Sequence, residues 1–288
     1  MFHRSFAVVA ALAAALVVVS LSAAAYQRAQ APLKQAQPKF PHRIVSLSPT
    51  GTEDLFAIGA GKQVVAVDQD SDYPKRAPRT SLSGLDPNVE AIANYHPDLV
   101  VFSNGGPFVQ QLKSLGIRVV VEPATKNVTG VYAQIKSLGR LTGHLSQART
   151  LASSMGRQLQ SIVRSVPKSR RHLRLYDELD STYYSATSAT FIGSVYKLFG
   201  FRNIADAADT QHTGYPQLSA EYILQADPQI IVLADGQTPA DVSARPGWST
   251  VSAVEHGRMV AVNEDIASRW GPRIVQFART VARIAKRG

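Results

Sequence analysis

The sequence predicts an α/β protein with two similar α/β lobes joined by a long α-helix and a ligand cleft between the lobes. Three observations support this fold. Strand and helix patterns alternate through both halves, one helix–turn–strand unit occurs twice, and a helical stretch without a strand partner separates the halves. Alternating strands and helices typically form a parallel sheet with helices on its faces.

The repeated unit spans residues 86–102 in the first half and 219–233 in the second. In each copy a glutamate, Glu90 or Glu221, stands seven residues before a proline, Pro97 or Pro228. The proline ends the helix, and an apolar run of strand length begins after one intervening polar residue. In the first copy we predict that Asp86 caps the helix. The repeat indicates two lobes of like construction.

The remaining elements follow from apolar periodicity and from Gly and Pro positions. In the first half we predict strands over 43–47, 63–67, 99–102 and 117–121, and helices over 53–58, 108–115 and 128–141. A helix over 146–166 would connect the lobes and limit hinge motion. The second half contains predicted strands over 173–176, 230–233 and 257–262, and helices over 191–199 and 273–285.

The N-terminus has the pattern of an export signal. Arg4 precedes an apolar stretch over residues 6–21, and three alanines end at Ala25. We interpret residues 1–25 as a signal peptide or, if uncleaved, a membrane anchor. Residues 26–42 are a predicted linker, 43–143 the N-terminal lobe, 144–167 the connecting helix and 168–288 the C-terminal lobe. The folded part is therefore expected outside the cytoplasmic membrane.

Composition excludes several classes of site. The chain has no cysteine, so it has no disulfide, no thiolate metal site and no lipid-modified cysteine. It carries 31 Lys and Arg against 21 Asp and Glu, a net charge of +10. The cations are mostly scattered, and the clusters at 168–174 and 279–287 lack the interleaved aromatic residues of a nucleic-acid site. We therefore predict a solvated basic surface and no nucleic-acid partner.

No catalytic or metal-binding motif is present. The sequence lacks a phosphate loop, a nucleophile elbow and a His-Glu-x-x-His motif, and none of its seven histidines lies three or four residues from another. We predict that the protein is not an enzyme and holds no resident metal or cofactor. The alternative is a metal-dependent extracytoplasmic enzyme whose ligands converge from distant parts of the chain.

Candidate ligand contacts lie in the loops that follow the predicted strands, because parallel sheets bind ligands beyond the carboxyl ends of their strands. Aromatic side chains with a few polar groups suit a large planar ligand. The candidates are Ser48, Pro49, Tyr73, Tyr184, Tyr215, Asp265, Arg269 and Trp270. Glu90 and Glu221 would suit the positive ends of their helices, but their matched positions also predict a symmetric docking surface for arginines of a partner.

Several motifs together resemble the substrate-binding proteins of ABC importers for cobalamin and ferric siderophores. They are the run Arg-Ile-Val-Ser-Leu-Ser-Pro at 43–49, Ser-Asp-Tyr-Pro at 71–74, the two Glu-to-Pro units, and Ser-Arg-Trp-Gly-Pro-Arg at 268–273. The resemblance covers residues 43–288. It implies the helix-linked, class III type of periplasmic binding protein, which delivers its ligand to a membrane permease coupled to a cytoplasmic ATPase.

By position, Glu90 and Glu221 match the paired glutamates that dock on arginines of the permease. Tyr215, Tyr184, Asp265 and Arg269 match residues of the pocket in cobalamin receptors. Two other aromatic positions of that pocket are replaced here, by Ser83-Gly84 and by Asp70. The resemblance implies a corrinoid (cobalamin-like) or an iron chelate such as a ferric siderophore as ligand, and the alternative is a receptor of the same fold that binds haem or a metal ion.

Overall fold

The structure is a computed structural model that describes residues 40–287. The predicted signal or anchor segment (1–25) and residues 26–39 of the linker lie outside the described residues. Across residues 40–287, no helix has both the length and the apolar character needed to cross a bilayer.

The first half forms a four-stranded parallel sheet in the order β2-β1-β3-β4. Its strands are β1 (Ile44–Leu47), β2 (Val64–Val67), β3 (Leu99–Phe102) and β4 (Arg118–Val121). Its helices are α1 (Pro49–Ala57), α2 (Val89–Ala93), α3 (Pro107–Ser114) and α4 (Val128–Thr142), and Ala60–Gln63 is a 3₁₀ turn. The predicted alternation of strand and helix is confirmed here.

After the long helix α5 (Leu145–Arg164), the second half repeats the arrangement, with a parallel sheet in the order β6-β5-β7-β8. Its strands are β5 (Arg174–Glu178), β6 (Arg202–Asn203), β7 (Ile230–Leu233) and β8 (Met259–Ala261). Its helices are α6 (Phe191–Leu198), α7 (Ala205–Ala208), α8 (Ala220–Ala226), α9 (Pro239–Ser243), α10 (Ser252–Glu255), α11 (Glu264–Ser268) and α12 (Ile274–Ala285). Lys168–Arg170 and Trp248–Thr250 are 3₁₀ turns.

The two copies of the repeated unit occupy equivalent places. Helices α2 and α8 carry Glu90 and Glu221 in their first turns, and each leads into the third strand of its sheet. The predicted N-cap Asp86 is wrong. Asn88 caps α2 by accepting a hydrogen bond from the backbone N–H of Ala91 at 2.9 Å, because Asp86 belongs to the preceding turn around Ser83.

Two other boundaries differ from the prediction, for local reasons. The helix predicted over 53–58 instead begins at Pro49, because Ser48 accepts a hydrogen bond from the Gly51 N–H at 2.9 Å and Pro49 suits the first helical position. Between the strand predicted over 257–262 and the helix predicted over 273–285 lies α11, which Asn263 caps by accepting a hydrogen bond from the Ile266 N–H at 3.1 Å.

Helices α4, α5 and α12 form a layer that joins the lobes. Helix α5 packs against both α4 and α12. One apolar cluster runs through this layer and includes strand residues of both sheets, such as Val101 and Val232. Alternate strand residues, such as Val100 and Ile231, face two smaller clusters on the opposite faces of the sheets. We refer to α4, α5 and α12 below as the helix layer.

Candidate functional site

The candidate site lies where the carboxyl ends of the two sheets approach each other. Arg269, which follows β8 in the C-terminal lobe, hydrogen-bonds the Asp72 carboxylate at 2.9 Å and the Asp70 carbonyl oxygen at 3.0 Å. Both aspartates follow β2 in the N-terminal lobe. Loops beyond the carboxyl ends of parallel strands are the usual ligand-binding region of such sheets.

Glu53 is the centre of the contacts between the lobes. It lies on α1, and only 1% of its side chain is exposed. Arg273 Nε donates to Glu53 Oε2 at 2.9 Å, Arg273 also binds Oε1, and Arg269 Nη1 lies 3.1 Å from Oε1. Both arginine side chains are 11% exposed. We call Glu53, Arg269 and Arg273 the interlobe cluster. Its charges are paired and hydrogen-bonded, as nearly buried ions require.

Arg269 is fully occupied in this structure. Besides Glu53 and Asp72, it binds the carboxylate of Asp265 at 2.7 Å, one helical turn earlier. Partial burial acts to raise the pKa of Asp72, but the hydrogen bond and the charge of Arg269 outweigh it and leave that pKa below its ordinary value. The predicted polar pair Asp265 and Arg269 is therefore brought together, with its charges balanced between the lobes.

Two further carboxyl groups are buried beside the interlobe cluster. Asp54 follows Glu53 on α1, and neither of its side-chain oxygens has a hydrogen-bond partner. Burial is the main reason that its pKa is raised well above the usual value, with further contributions from Glu122 and Glu53. Burial also raises the pKa of Glu122, which follows β4, to about 8. Glu122 is therefore mostly protonated at neutral pH, and burial disfavours the ionised form of Asp54.

The close packing of Gly271 brings the C-terminal lobe over these acids. A β-carbon on Gly271 would lie 3.6 Å from both Asp54 Oδ1 and a methyl group of Thr50. The Gly-Pro-Arg part of the motif at 268–273 therefore places the backbone against α1 and positions Arg273 for Glu53.

Tyr184 and Tyr215 lie on two short antiparallel segments. Tyr184 pairs with Gln217, and Ser185 N–H donates to the Pro216 carbonyl at 3.0 Å. The side chains of Tyr184 and Tyr215 are 40% and 48% exposed. Leu179, which directly follows β5, donates its N–H to the Tyr184 carbonyl at 2.9 Å, so this ribbon lies by the carboxyl end of β5. Partial burial and, to a smaller degree, the nearby Asp177 raise the pKa of Tyr215. The ribbon therefore presents two aromatic side chains at the sheet edge where ligand binding is predicted.

Tyr73 lies at the junction of the lobes, where the Arg273 guanidinium is 4.6 Å from the centre of its ring. Its side chain is 44% exposed. Trp270 differs, because it packs against the large apolar cluster and its indole N–H is buried without an acceptor. Three of the four predicted aromatic residues are thus exposed, Tyr73 at one place and Tyr184 with Tyr215 at another, whereas Trp270 packs into the apolar cluster.

Ser48 and Pro49 have local structural roles. Ser48 is buried, and its hydroxyl accepts hydrogen bonds from the Gly51 N–H at 2.9 Å and from Ser103 Oγ at 2.7 Å. Its hydroxyl is thus engaged within the lobe in this structure. Pro49 is half-buried at the first position of α1.

Glu90 and Glu221 are both exposed. Their helices α2 and α8 begin at Asn88 and Ser219, whose side chains accept hydrogen bonds from the helix backbone. Backbone and Ser219 hydrogen bonds lower the pKa of Glu221. The two carboxylates are thus placed on corresponding elements of the two lobes.

The sequence reasoning missed Glu53, Asp54, Glu122 and Asp177. Asp177 is the last residue but one of β5, and burial raises its pKa to about 7 despite a 2.7 Å hydrogen bond from the Tyr196 hydroxyl. The available signal was the placement of acids directly after apolar strands or within an otherwise apolar helix. Within residues 40–287, no three His, Asp or Glu side chains are arranged to hold a metal ion.

Replacing Glu53 should destabilise the protein strongly. In Glu53→Gln, two nearly buried arginines lose their shared carboxylate, and we expect the free energy of unfolding to fall by about 3 kcal/mol. Asp265→Asn is the matched control, since it removes a more exposed partner of Arg269 and should lower stability by about 0.5 kcal/mol. Urea denaturation measures both. Equal losses in the two variants would contradict a central role for Glu53.

Glu122 should make stability depend on pH. The folded protein keeps this proton up to about pH 8, whereas an ordinary glutamate loses it near pH 4.5. The folded state therefore binds the additional proton between these values, and the free energy of unfolding should fall as pH rises. Glu122→Gln should reduce the decrease between pH 5 and pH 8 by roughly 2–4 kcal/mol. Denaturant unfolding at both pH values tests this, and parallel pH curves for the two proteins would refute it.

Comparison with known proteins agrees with this architecture. Residues 44–266 match the family model described as periplasmic binding protein. A substrate-binding lipoprotein of an ABC transporter from Bacillus subtilis is 30% identical over 254 residues, which cover 85% of this chain and 80% of the relative. A cobalamin-binding protein from Halobacterium salinarum is 33% identical over 249 residues, or 82% of this chain and 67% of the relative.

The fold is also similar to that of solved structures. A possible iron-binding, periplasmic solute-binding protein from Staphylococcus epidermidis superimposes with a TM-score of 0.75 at 27% identity. The match covers 86% of this chain and all of the other. Two parallel sheets with a shared strand order, a helical connection and a family match over most of the chain lead to one assignment: this protein belongs to the periplasmic binding protein family.

Proposed function

We propose that this protein binds a corrinoid such as cobalamin, or a ferric chelate, between its lobes and delivers it to the permease of an ABC importer. The observation that carries this proposal is the exposed pair Tyr184 and Tyr215 at the carboxyl end of β5. Aromatic faces at a sheet edge suit a large, flat ligand better than a small ion or an extended peptide.

Both ligand classes agree with the names of relatives. The Halobacterium protein is named for cobalamin, and the Staphylococcus structure is described as possibly iron-binding. Corrinoids and ferric chelates are large metal complexes with extensive apolar or conjugated surfaces. Binding would be non-covalent and without chemical conversion of the ligand, so the protein acts as a receptor with no resident cofactor.

The permease contact is proposed for Glu90 and Glu221. Both are exposed, both lie in the first turn of a helix that follows a capping residue, and each leads into the third strand of its lobe. Carboxylates at matched places on two lobes can each accept a charge-assisted hydrogen bond from an arginine of a two-fold symmetric partner. The receptor would work outside the cytoplasmic membrane, as its Bacillus relative's description as a lipoprotein supports.

Loss of the two tyrosine rings should weaken ligand binding. We expect Tyr184→Ala/Tyr215→Ala to raise the Kd for the ligand about tenfold or more, because stacked aromatic area is removed. Tyr184→Phe/Tyr215→Phe is the control and should retain most of the affinity. Isothermal titration with cyanocobalamin, a ferric hydroxamate and haem identifies the ligand. Undiminished affinity of the alanine variant would disprove the site, and binding of none of the three would disprove the ligand class.

Removing the two glutamates should separate transport from ligand capture. Glu90→Ala/Glu221→Ala should raise the Kd for the detergent-purified permease at least roughly tenfold, because two carboxylate–arginine contacts are lost. Its ligand affinity should equal that of the wild type. Glu255→Ala removes an exposed carboxylate from another helix of the second lobe and serves as the control for Glu221→Ala. Normal permease binding by the double variant would exclude this docking role.

A further inference from the structure

The positive charge of the chain is concentrated in two stretches that contain no acidic residue. Residues 123–176 hold ten Lys and Arg, residues 266–287 hold six, and neither stretch contains Asp or Glu. In the rest of the chain, acids therefore outnumber bases by 21 to 15. These two stretches supply the helix layer, so the excess charge belongs to one part of the fold.

Helix packing brings cations from the two stretches together. Arg279 on α12 donates to Gln158 Oε1 on α5 at 2.6 Å, and Lys286 Nζ binds Ser165 Oγ, just after α5, at 2.8 Å. The outer side of α12 therefore lies along the C-terminal half of α5. Residues 157 and 164, both arginines, immediately precede these two contact positions.

The cations share helix faces and are exposed. Arg279, Arg283 and Lys286 are spaced by four and three residues, which places them on one side of α12. Arg157 and Arg164 are seven residues apart and occupy one side of α5. We call these five side chains the basic patch. All five are exposed, and among residues 40–287 none forms an ion pair with a carboxylate.

This lack of neutralisation contrasts with the interlobe cluster. There, Arg269 and Arg273 are nearly buried and share the carboxylate of Glu53. On the helix layer, packing instead places Arg279 and Lys286 against the neutral partners Gln158 and Ser165. A dense, exposed field of one sign attracts a broad anionic surface and needs no pocket.

The path of the chain favours a membrane as that surface. Phe40, the first described residue, packs at the turn between α4 and α5, since a β-carbon on Gly143 would lie 3.1 Å from its ring. Gln63 secures this corner by donating to the carbonyls of Pro41 at 2.7 Å and Thr142 at 3.2 Å. The N-terminal segment, with its apolar stretch over 6–21, thus joins the fold at one end of the helix layer.

We propose that the basic patch binds the phosphates of anionic lipid headgroups, so that the receptor, while it is not docked on the permease, rests on the membrane by its helix layer. The location rests on the proposed extracytoplasmic function, but lipid binding itself does not require a ligand in the cleft. Lysine and arginine near an anionic bilayer each add to membrane affinity, so five of them produce a strong and salt-sensitive preference.

The test is sedimentation of the full chain with lipid vesicles at low ionic strength. Vesicles of phosphatidylglycerol and phosphatidylcholine are compared with vesicles of phosphatidylcholine alone, so that insertion of the apolar N-terminal stretch contributes equally to both. The wild type should partition about tenfold or more in favour of the anionic vesicles, and added salt should abolish the preference.

A charge-neutralised variant locates the site. Arg157→Gln/Arg164→Gln/Arg283→Gln/Lys286→Gln should lose the preference for anionic vesicles. The matched control removes four exposed cations elsewhere, Lys75→Gln/Arg79→Gln/Lys113→Gln/Lys197→Gln, and should keep it. Circular dichroism and the cleft-ligand titration verify that both variants are folded, which separates failure of this proposal from failure of the receptor function.

Three outcomes would overturn the proposal. The first is equal partitioning of the wild type into neutral and anionic vesicles, and the second is equal loss of binding in the two quadruple variants. The third is displacement of the protein from anionic vesicles by duplex DNA or an acidic protein at equal charge concentration, which would show that the patch fits another class of polyanion better than a lipid surface.

Discussion

The contact between the lobes depends on one carboxylate. Glu53 is almost wholly removed from water, and the arginines that neutralise it come from the other lobe. An isolated buried charge is costly, so the N-terminal lobe depends on the arginines of the C-terminal lobe to pair with Glu53. The shared apolar cluster across α4, α5 and α12 also holds the two lobes together. Opening by a wide rotation would break both, which favours small changes of lobe angle.

The carboxyl groups close to Glu53 respond differently to burial, because only Glu53 has cationic partners. Glu53 has two cationic partners, whereas Asp54 has no hydrogen-bond partner and Glu122 is shielded from water. Placing three carboxylates together would be unfavourable if all were ionised, and the raised pKa values of Asp54 and Glu122 favour their neutral forms. The arginines consequently face one strong anion, and the contact between the lobes keeps a defined charge balance.

Much of the fold could be predicted from the sequence because it is encoded locally. Apolar runs between Pro and Gly positions located β3 and β7, and the repeated glutamate identified α2 and α8 as equivalents. The interlobe cluster could not be predicted in this way, since Glu53 and Arg269 are 216 residues apart and burial of Glu53 requires the second lobe. The basic patch was hidden for a similar reason: its cations look scattered until helix packing gathers them.

The identical strand order of the two sheets has a mechanical consequence. Glu90 and Glu221 each stand on a helix that leads into the third strand of a rigid parallel sheet. Each carboxylate is therefore fixed within its own lobe, and the distance between the two varies only with the angle between the lobes. In the docking role proposed above, a permease that binds both carboxylates at once responds to that angle. It can thereby distinguish a loaded receptor from an empty one without touching the ligand.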